Sequence, residues 1–268
     1  MSNNTPEALP EEVLGLTHAF LEVADLHCPG LLDGLLLHGS LCWGEFFDDS
    51  DVDFVGLLSR TPSEDDLAGL AAAHQQARSV YVVRRFEGFH CLPAQLAGPP
   101  EGVGPVPVHY ESAFTATGHL DVSWVTWHEL AERGIAVRGA VPPVRTDLEA
   151  LLVYCRENLS TYWSSMLDDV TKAGDQEVGE MFEVVVWVVL GVARVHHVMA
   201  RWRLTSKSGA GRYVLEALDP RWRRIATEAL RLRERPDKPS GYAHFAERGR
   251  DVREFLSWAV ADGIRLGS

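Results

Sequence analysis

Basic residues are in short supply: the 268-residue chain sets 25 Lys and Arg against 38 Asp and Glu, a formal net charge of −13. Such a chain repels a polyanion unless its bases are concentrated in one place, which argues against DNA or RNA as partners. Cysteine is scarce as well. Cys28, Cys42, Cys91 and Cys155 are scattered, with no C-x-x-C and no histidines at metal-ligand spacing, and they read as buried thiols in a reducing compartment. The opening Met-Ser-Asn-Asn-Thr-Pro-Glu has neither a basic start nor an apolar run, so no signal peptide is expected. Long apolar runs are missing too. Val184 to Ala193 is about half the ~20 residues of a membrane span, is bracketed by Glu183 and Arg194, and reads as core. No repeat or low-complexity segment is present. These absences point to a cytoplasmic chain with no membrane partner, expected as a monomer or weak dimer.

What remains is the composition of a soluble globular protein, 46% hydrophobic and 24% charged, with material for a full core. The texture changes near residue 145, which suggests two domains, 1–145 and 146–268. The first is mixed. Apolar residues at helical spacing cover 11–26, short apolar runs at Leu31–Leu37 and Asp51–Leu58 read as strands, and 61–78 is helical again behind a Ser63/Asp66 cap. Val80–Val83 and Phe86–Leu92 supply more strand, and the Gly- and Pro-rich 98–107 reads as loop. From Asp147 the chain is helical almost throughout, in blocks 147–168, 177–202, 207–218, 221–233 and 242–264 punctuated by Pro220, Pro236 and Pro239. The fold class is therefore α+β, with a helical bundle as its second half.

The informative segment is Gly39-Ser40, ten residues, then Asp51-Val52-Asp53. Residues two apart on a strand share a face, so two carboxylates stand side by side. They repel unless a cation lies between them, and hard divalent cations with oxygen ligands fill that role. Gly39 and Ser40 end the preceding strand, where a missing side chain lets backbone N–H groups approach an anion and the hydroxyl adds a donor. Together these parts form a place for a metal-bound triphosphate. An Asp-x-Asp by itself is commonplace; the two apolar strands and their spacing make the signal.

The whole pattern, hydrophobic-Gly-Ser, about ten residues, Asp-hydrophobic-Asp-hydrophobic, resembles the signature of the nucleotidyltransferase superfamily. Leu190-Gly191-Val192-Ala193-Arg194-Val195-His196-His197 followed by Thr205-Ser206-Lys207-Ser208-Gly209 resembles the helical C-terminal domain of the aminoglycoside 3''-adenylyltransferases of streptomycin/spectinomycin type. Asn158-Leu159, Tyr162-Trp163 and Glu228-Ala229-Leu230-Arg231 fit the same pattern. The resemblance implies a nucleotidyltransferase domain, a mixed sheet with flanking helices, followed by a helical domain closing over nucleotide and acceptor. It also implies Mg²⁺-dependent transfer of a nucleoside monophosphate, AMP from ATP, to a hydroxyl of an aminoglycoside- or aminocyclitol-like acceptor, with a role in antibiotic resistance.

On that resemblance Asp51 and Asp53 hold two Mg²⁺ ions, and a third carboxylate on a later strand acts as ligand or base. Glu87 is the one acid between Asp66 and Glu101, so it takes this place; the alternative is an ion pair with Arg84 or Arg85. Gly39, Ser40, Arg194 and Lys207 are implied as nucleotide contacts, Arg194 having a salt bridge to Glu180 or Glu183 as its other reading. Acids at the head of the long helix (Asp175, Glu177, Glu180, Glu183) are candidates to hold a cationic acceptor, with Trp124 and Trp127 to stack on it. Arg233 departs from the family, standing where an aromatic packs on the nucleotide. A protein or metabolite acceptor, or a nucleotide-binding homologue without turnover, is the alternative function.

Overall fold

The computed structural model describes residues 9–80 and 85–266, which form two compact units divided between Thr146 and Asp147. In the first unit, helix α1 (Glu11–His27) leads into β1 (Leu32–Leu37), a 3-10 turn (Gly39–Trp43) and β2 (Val52–Leu58). Helix α2 (Glu64–Val80) then connects β2 to β3 (Phe86–Cys91), and a one-turn helix α3 (Pro93–Leu96) precedes β4 (Val106–Tyr110) and β5 (Ala113–Gly118). Helix α4 (Trp124–Arg133) and β6 (Ile135–Arg138) complete the unit. The six strands lie in the order β5-β4-β3-β2-β1-β6, with β2 and β3 parallel and the other pairs antiparallel. Parallel neighbours need a crossover, and α2 supplies it.

The alternation of side chains along the strands divides the core. Leu35, Leu37, Phe54 and Phe86 pack with α1 and α2 on one face; Leu36, Val55, Phe89 and Cys91 pack with Trp127 and Leu130 of α4 on the other. Most elements of this unit follow the sequence pattern. The 80–83 strand falls largely outside the described residues, and Val80 itself ends α2. The 98–107 loop is shorter than its composition suggests, because β4 starts at Val106. The β4–β5 hairpin is closed by Glu111 and Ser112, both at positive φ (46° and 67°). Hairpin turns of this kind favour Asn and Gly, so nothing in the sequence announces it.

The second unit is helical: α5 (Leu148–Asn158), a π turn (Leu159–Trp163), α6 (Ser164–Ala173), α7 (Asp175–Glu180), α8 (Phe182–Arg201), α9 (Lys207–Ala217), α10 (Arg223–Glu234) and α11 (Phe245–Leu266). Helix α8 is the one described helix long and apolar enough to cross a membrane, and it is the core of this unit, with Val185, Val188 to Ala193 and His196 to Met199 buried. The single helix expected over 177–202 is broken at Met181, which has extended backbone (φ −83°, ψ 93°). Two interactions force the break. A β-carbon at Gly179 would lie 1.9 Å from the Phe245 carbonyl, so α7 meets α11 backbone to backbone. The Gly179 carbonyl, which a continuing helix would use internally, instead accepts the Arg248 guanidinium (Nε to O, 2.7 Å). Arg248 also reaches buried Glu228, which accepts hydrogen bonds from Arg231 and Ser240 as well. Burial pushes the Glu228 carboxyl upward, but those donors outweigh it and hold it at about 2. The Glu228-Ala229-Leu230-Arg231 segment is thus a buried ion network tying α10 to α7 and α11.

Candidate active site

Asp53 and Glu87 face each other in register across the parallel β2–β3 pair, and Asp51 lies two residues before Asp53 on the same face. The three sequence-predicted acids therefore share the side of the sheet that carries α4, at the end where both strands begin. Their fields overlap. Burial, with the charges of Asp121, Asp51 and Glu129, pushes the Asp53 carboxyl up to about 7 against the opposing influence of His38. Glu87 is buried, and its carboxyl is likewise raised, by burial first and then by Asp51. Carboxylates that repel in this way are the donor set a hard divalent cation neutralises.

As placed, Asp51 and Glu87 have protein partners. Arg85 lies 2.7 Å from Asp51, and the Glu111 N–H donates to Glu87 Oε1 at 3.2 Å, so the hairpin turn steadies the third acid. Of the two arginines in the alternative reading of Glu87, Arg85 pairs with Asp51 and Arg84 lies outside the described residues. Among the described residues no three His, Cys, Asp or Glu side chains are close enough together to hold an ion in these rotamers. The donor chemistry of Asp51, Asp53 and Glu87 fits a divalent cation.

Gly39 sits directly on this site. Its φ is +62°, and a β-carbon there would lie 1.8 Å from Asp53 Oδ2, so only glycine lets the turn close over the carboxylate. Its N–H, expected to face a phosphate, donates to Glu129 Oε2 at 3.3 Å. Ser40 is half-buried in the same turn. His38, Glu129 and Asp121 were not singled out by the sequence pattern. His38 follows β1 directly, with Nδ1 3.6 Å from Glu129 Oε2. Burial presses it toward neutrality, but the neighbouring Glu129 carboxylate and the Asp53 charge outweigh this and raise its pKa. The one available signal was an acid, Glu129, set among the apolar residues Trp127 and Leu130 of an amphipathic helix.

Trp124 and Trp127 are corrected: neither is a stacking surface. Trp127 is fully buried beside Phe89, its indole N–H donating to the Gly98 carbonyl, and Trp124 is buried with its indole on Glu101. Large aromatics on the sheet-facing side of α4 are consumed by the core.

In the second unit, Arg194 and Lys207 come together at the start of α9. Arg194 Nε donates to the Thr205 carbonyl at 3.2 Å, Ser206 caps the helix by accepting from the Gly209 N–H at 2.8 Å, and Lys207 is the first helical residue. Two cations at a helix N-terminus suit an anion. The Lys207 ammonium lies 5.0 Å from the Trp187 ring centre. Glu180 and Glu183 are exposed at the α7–α8 junction, and Asp175 is held by Arg253 through two hydrogen bonds of 2.8 and 3.1 Å.

Residues 158–259 match the family described as aminoglycoside adenylyltransferase, C-terminal domain. No curated protein matches the sequence. Among solved structures, the fold resembles that of the spectinomycin adenyltransferase AAD(9) from Enterococcus faecialis, determined with ATP and spectinomycin. The TM-score is 0.63 at 13% identity, covering 95% of this chain and 100% of that one. The resemblance to aminoglycoside adenylyltransferases read from the sequence is thereby borne out, and so is the α+β fold with its helical C-terminal region.

Proposed function

We propose that this chain is a cytoplasmic adenylyltransferase that moves AMP from ATP to a hydroxyl of an aminoglycoside- or aminocyclitol-like acceptor in a magnesium-dependent reaction. The observation that carries it is the in-register pair Asp53 and Glu87, with Asp51 alongside, directly under the Gly39 turn. The C-terminal family match and the fold shared with an adenyltransferase support the same reading.

Asp51 and Asp53 would hold Mg²⁺, with Glu87 as the third carboxylate; when bound, the cation supplies neutralisation of the triphosphate and of charge developing at the α-phosphate. Glu87 takes the acceptor proton as its oxygen forms a bond to the α-phosphorus and the bond to the departing pyrophosphate breaks. In the second unit Arg194 and Lys207 bind phosphate oxygens, and exposed Glu180 and Glu183 attract a cationic acceptor.

The direct test is incubation with MgATP and a panel including streptomycin and spectinomycin, read by mass spectrometry for a gain of one AMP. Labelled ATP that marks protein bands instead would move the acceptor class to proteins. No pyrophosphate release with any acceptor would reject transfer altogether. Arg194→Ala is expected to weaken ATP binding by roughly 1–3 kcal/mol, the range for a charge-assisted hydrogen bond. Unchanged affinity by calorimetry would remove Arg194 from the nucleotide site.

A further inference from the structure

Helix α4 grips the Gly39–Trp43 turn at two points one helical turn apart. Glu129, only 3% exposed, accepts from the Gly39 N–H with Oε2 (3.3 Å) and from the Trp43 indole N–H with Oε1 (2.9 Å). Four residues on, the Arg133 guanidinium lies 4.0 Å from the centre of the Trp43 ring. The turn is therefore held at its first residue and its last by a single helix face. The grip matters because Gly39 lies against Asp53, leaving no space for a β-carbon between them. Any drift of the turn changes the room around that carboxylate.

A buried carboxylate taking two N–H donors from a turn is costly to keep for stability alone, since burying an acid carries a desolvation penalty that two apolar side chains would avoid. Its two oxygens are also specific in a way a neutral side chain cannot copy, because both faces of the group must accept. We propose that Glu129 is a positioning residue for the transfer reaction, clamping the Gly39–Trp43 turn over Asp53 through the Gly39 amide and the Trp43 indole. The inference rests on the proposed catalytic role of Asp53.

The test uses Glu129→Gln, Trp43→Phe and the double variant. A glutamine can accept on one side only, so its NH₂ must confront either the Gly39 N–H or the Trp43 indole N–H. Glu129→Gln is expected to lower kcat by about 10- to 100-fold, the equivalent of losing one such bond and opposing a second, and to speed amide exchange confined to residues 39–45. Trp43→Phe should cost less, and exchange should rise over the same segment. Adding Trp43→Phe to Glu129→Gln removes the opposed donor, lets the amide oxygen return to Gly39, and should recover a substantial part of the lost kcat. Additive losses, or a double variant slower than Glu129→Gln, would overturn the proposal, as would unchanged exchange over 39–45 in both single variants. Should Glu129→Gln not fold, the exchange profile of Trp43→Phe alone decides it. Should the parent transfer no AMP, the functional reading falls, and the exchange measurements still decide whether the clamp exists.

Discussion

Glu87→Gln is expected to keep MgATP bound while turnover falls by about 10²- to 10⁴-fold, the range for losing a positioned general base. The substitution preserves shape and leaves an oxygen to accept the Glu111 N–H, so the hairpin contact survives and the loss is chemical. Turnover at the parent rate with every acceptor used would remove Glu87 from the base role. Asp53→Asn is expected to behave differently. It abolishes metal-dependent activity, yet at pH 8 the folded protein should be at least as stable as the parent, because a buried carboxylate raised to about 7 is being ionised at a cost the amide does not bear. Opposite signs for activity and stability mark a group kept for function. A variant that loses both equally, by turnover assay and urea titration, would place Asp53 among the residues that build the fold.

The second large effect is acid sensitivity of the first unit. His74 on α2, His90 on β3 and His109 on β4 are buried together, His74 Nε2 3.0 Å from His90 Nε2 and the His74 ring stacked 4.3 Å from that of His109. The space is built for them, since a β-carbon at Gly56 would lie 2.1 Å from His90 Nδ1. Burial, reinforced by the neighbouring rings, holds His74 well below the ordinary histidine value and His90 at about 3. Between those values and the unfolded value of about 6.5, the unfolded chain binds more protons, so stability rises with pH. The contribution is complete above about pH 6.5 and is lost as pH falls, at up to ~1.4 kcal/mol per pH unit for each histidine. Geometry adds to this: two protonated rings would point N–H at N–H. Asp53, Glu87 and His38, all raised, act in the opposite sense, so the histidine share is read as a difference. His74→Phe should lower stability at pH 7 by removing the His90 partner, and should flatten the slope from pH 7 to 5 by about 1 kcal/mol per unit. Parallel stability curves for parent and variant in denaturant titrations would reject the assignment.

Much of this molecule could be read from its residues because its signals are periodic or paired. Short apolar runs at Leu31–Leu37 and Asp51–Leu58 located β1 and β2 to within a residue, and Asp-Val-Asp with Gly-Ser marked the site because repelling charges and a bare backbone need a reason. What escaped did so through long-range causes. The Glu111–Ser112 turn adopts positive φ without glycine or asparagine, so neither the hairpin nor its hold on Glu87 has a local signature. The break at Met181 arises from Arg248, far away in the sequence, capturing the Gly179 carbonyl. Trp124 and Trp127 misled because a tryptophan looks the same in sequence whether it meets a ligand or a core, and Glu129, an acid among the apolar residues of α4, gives only a faint signal until its donors are seen.

The contact between α7 and α11 has a consequence for how the chain can change. Gly179 and Gly249 each leave less than 2 Å for an added carbon against the opposing carbonyl, so substitution there forces the two helices apart. Glu180 and Glu183, immediately beyond, project into solvent and carry no such restriction. Descendants of this chain are free to revise the charge they present at that corner while the seam beneath it stays unaltered.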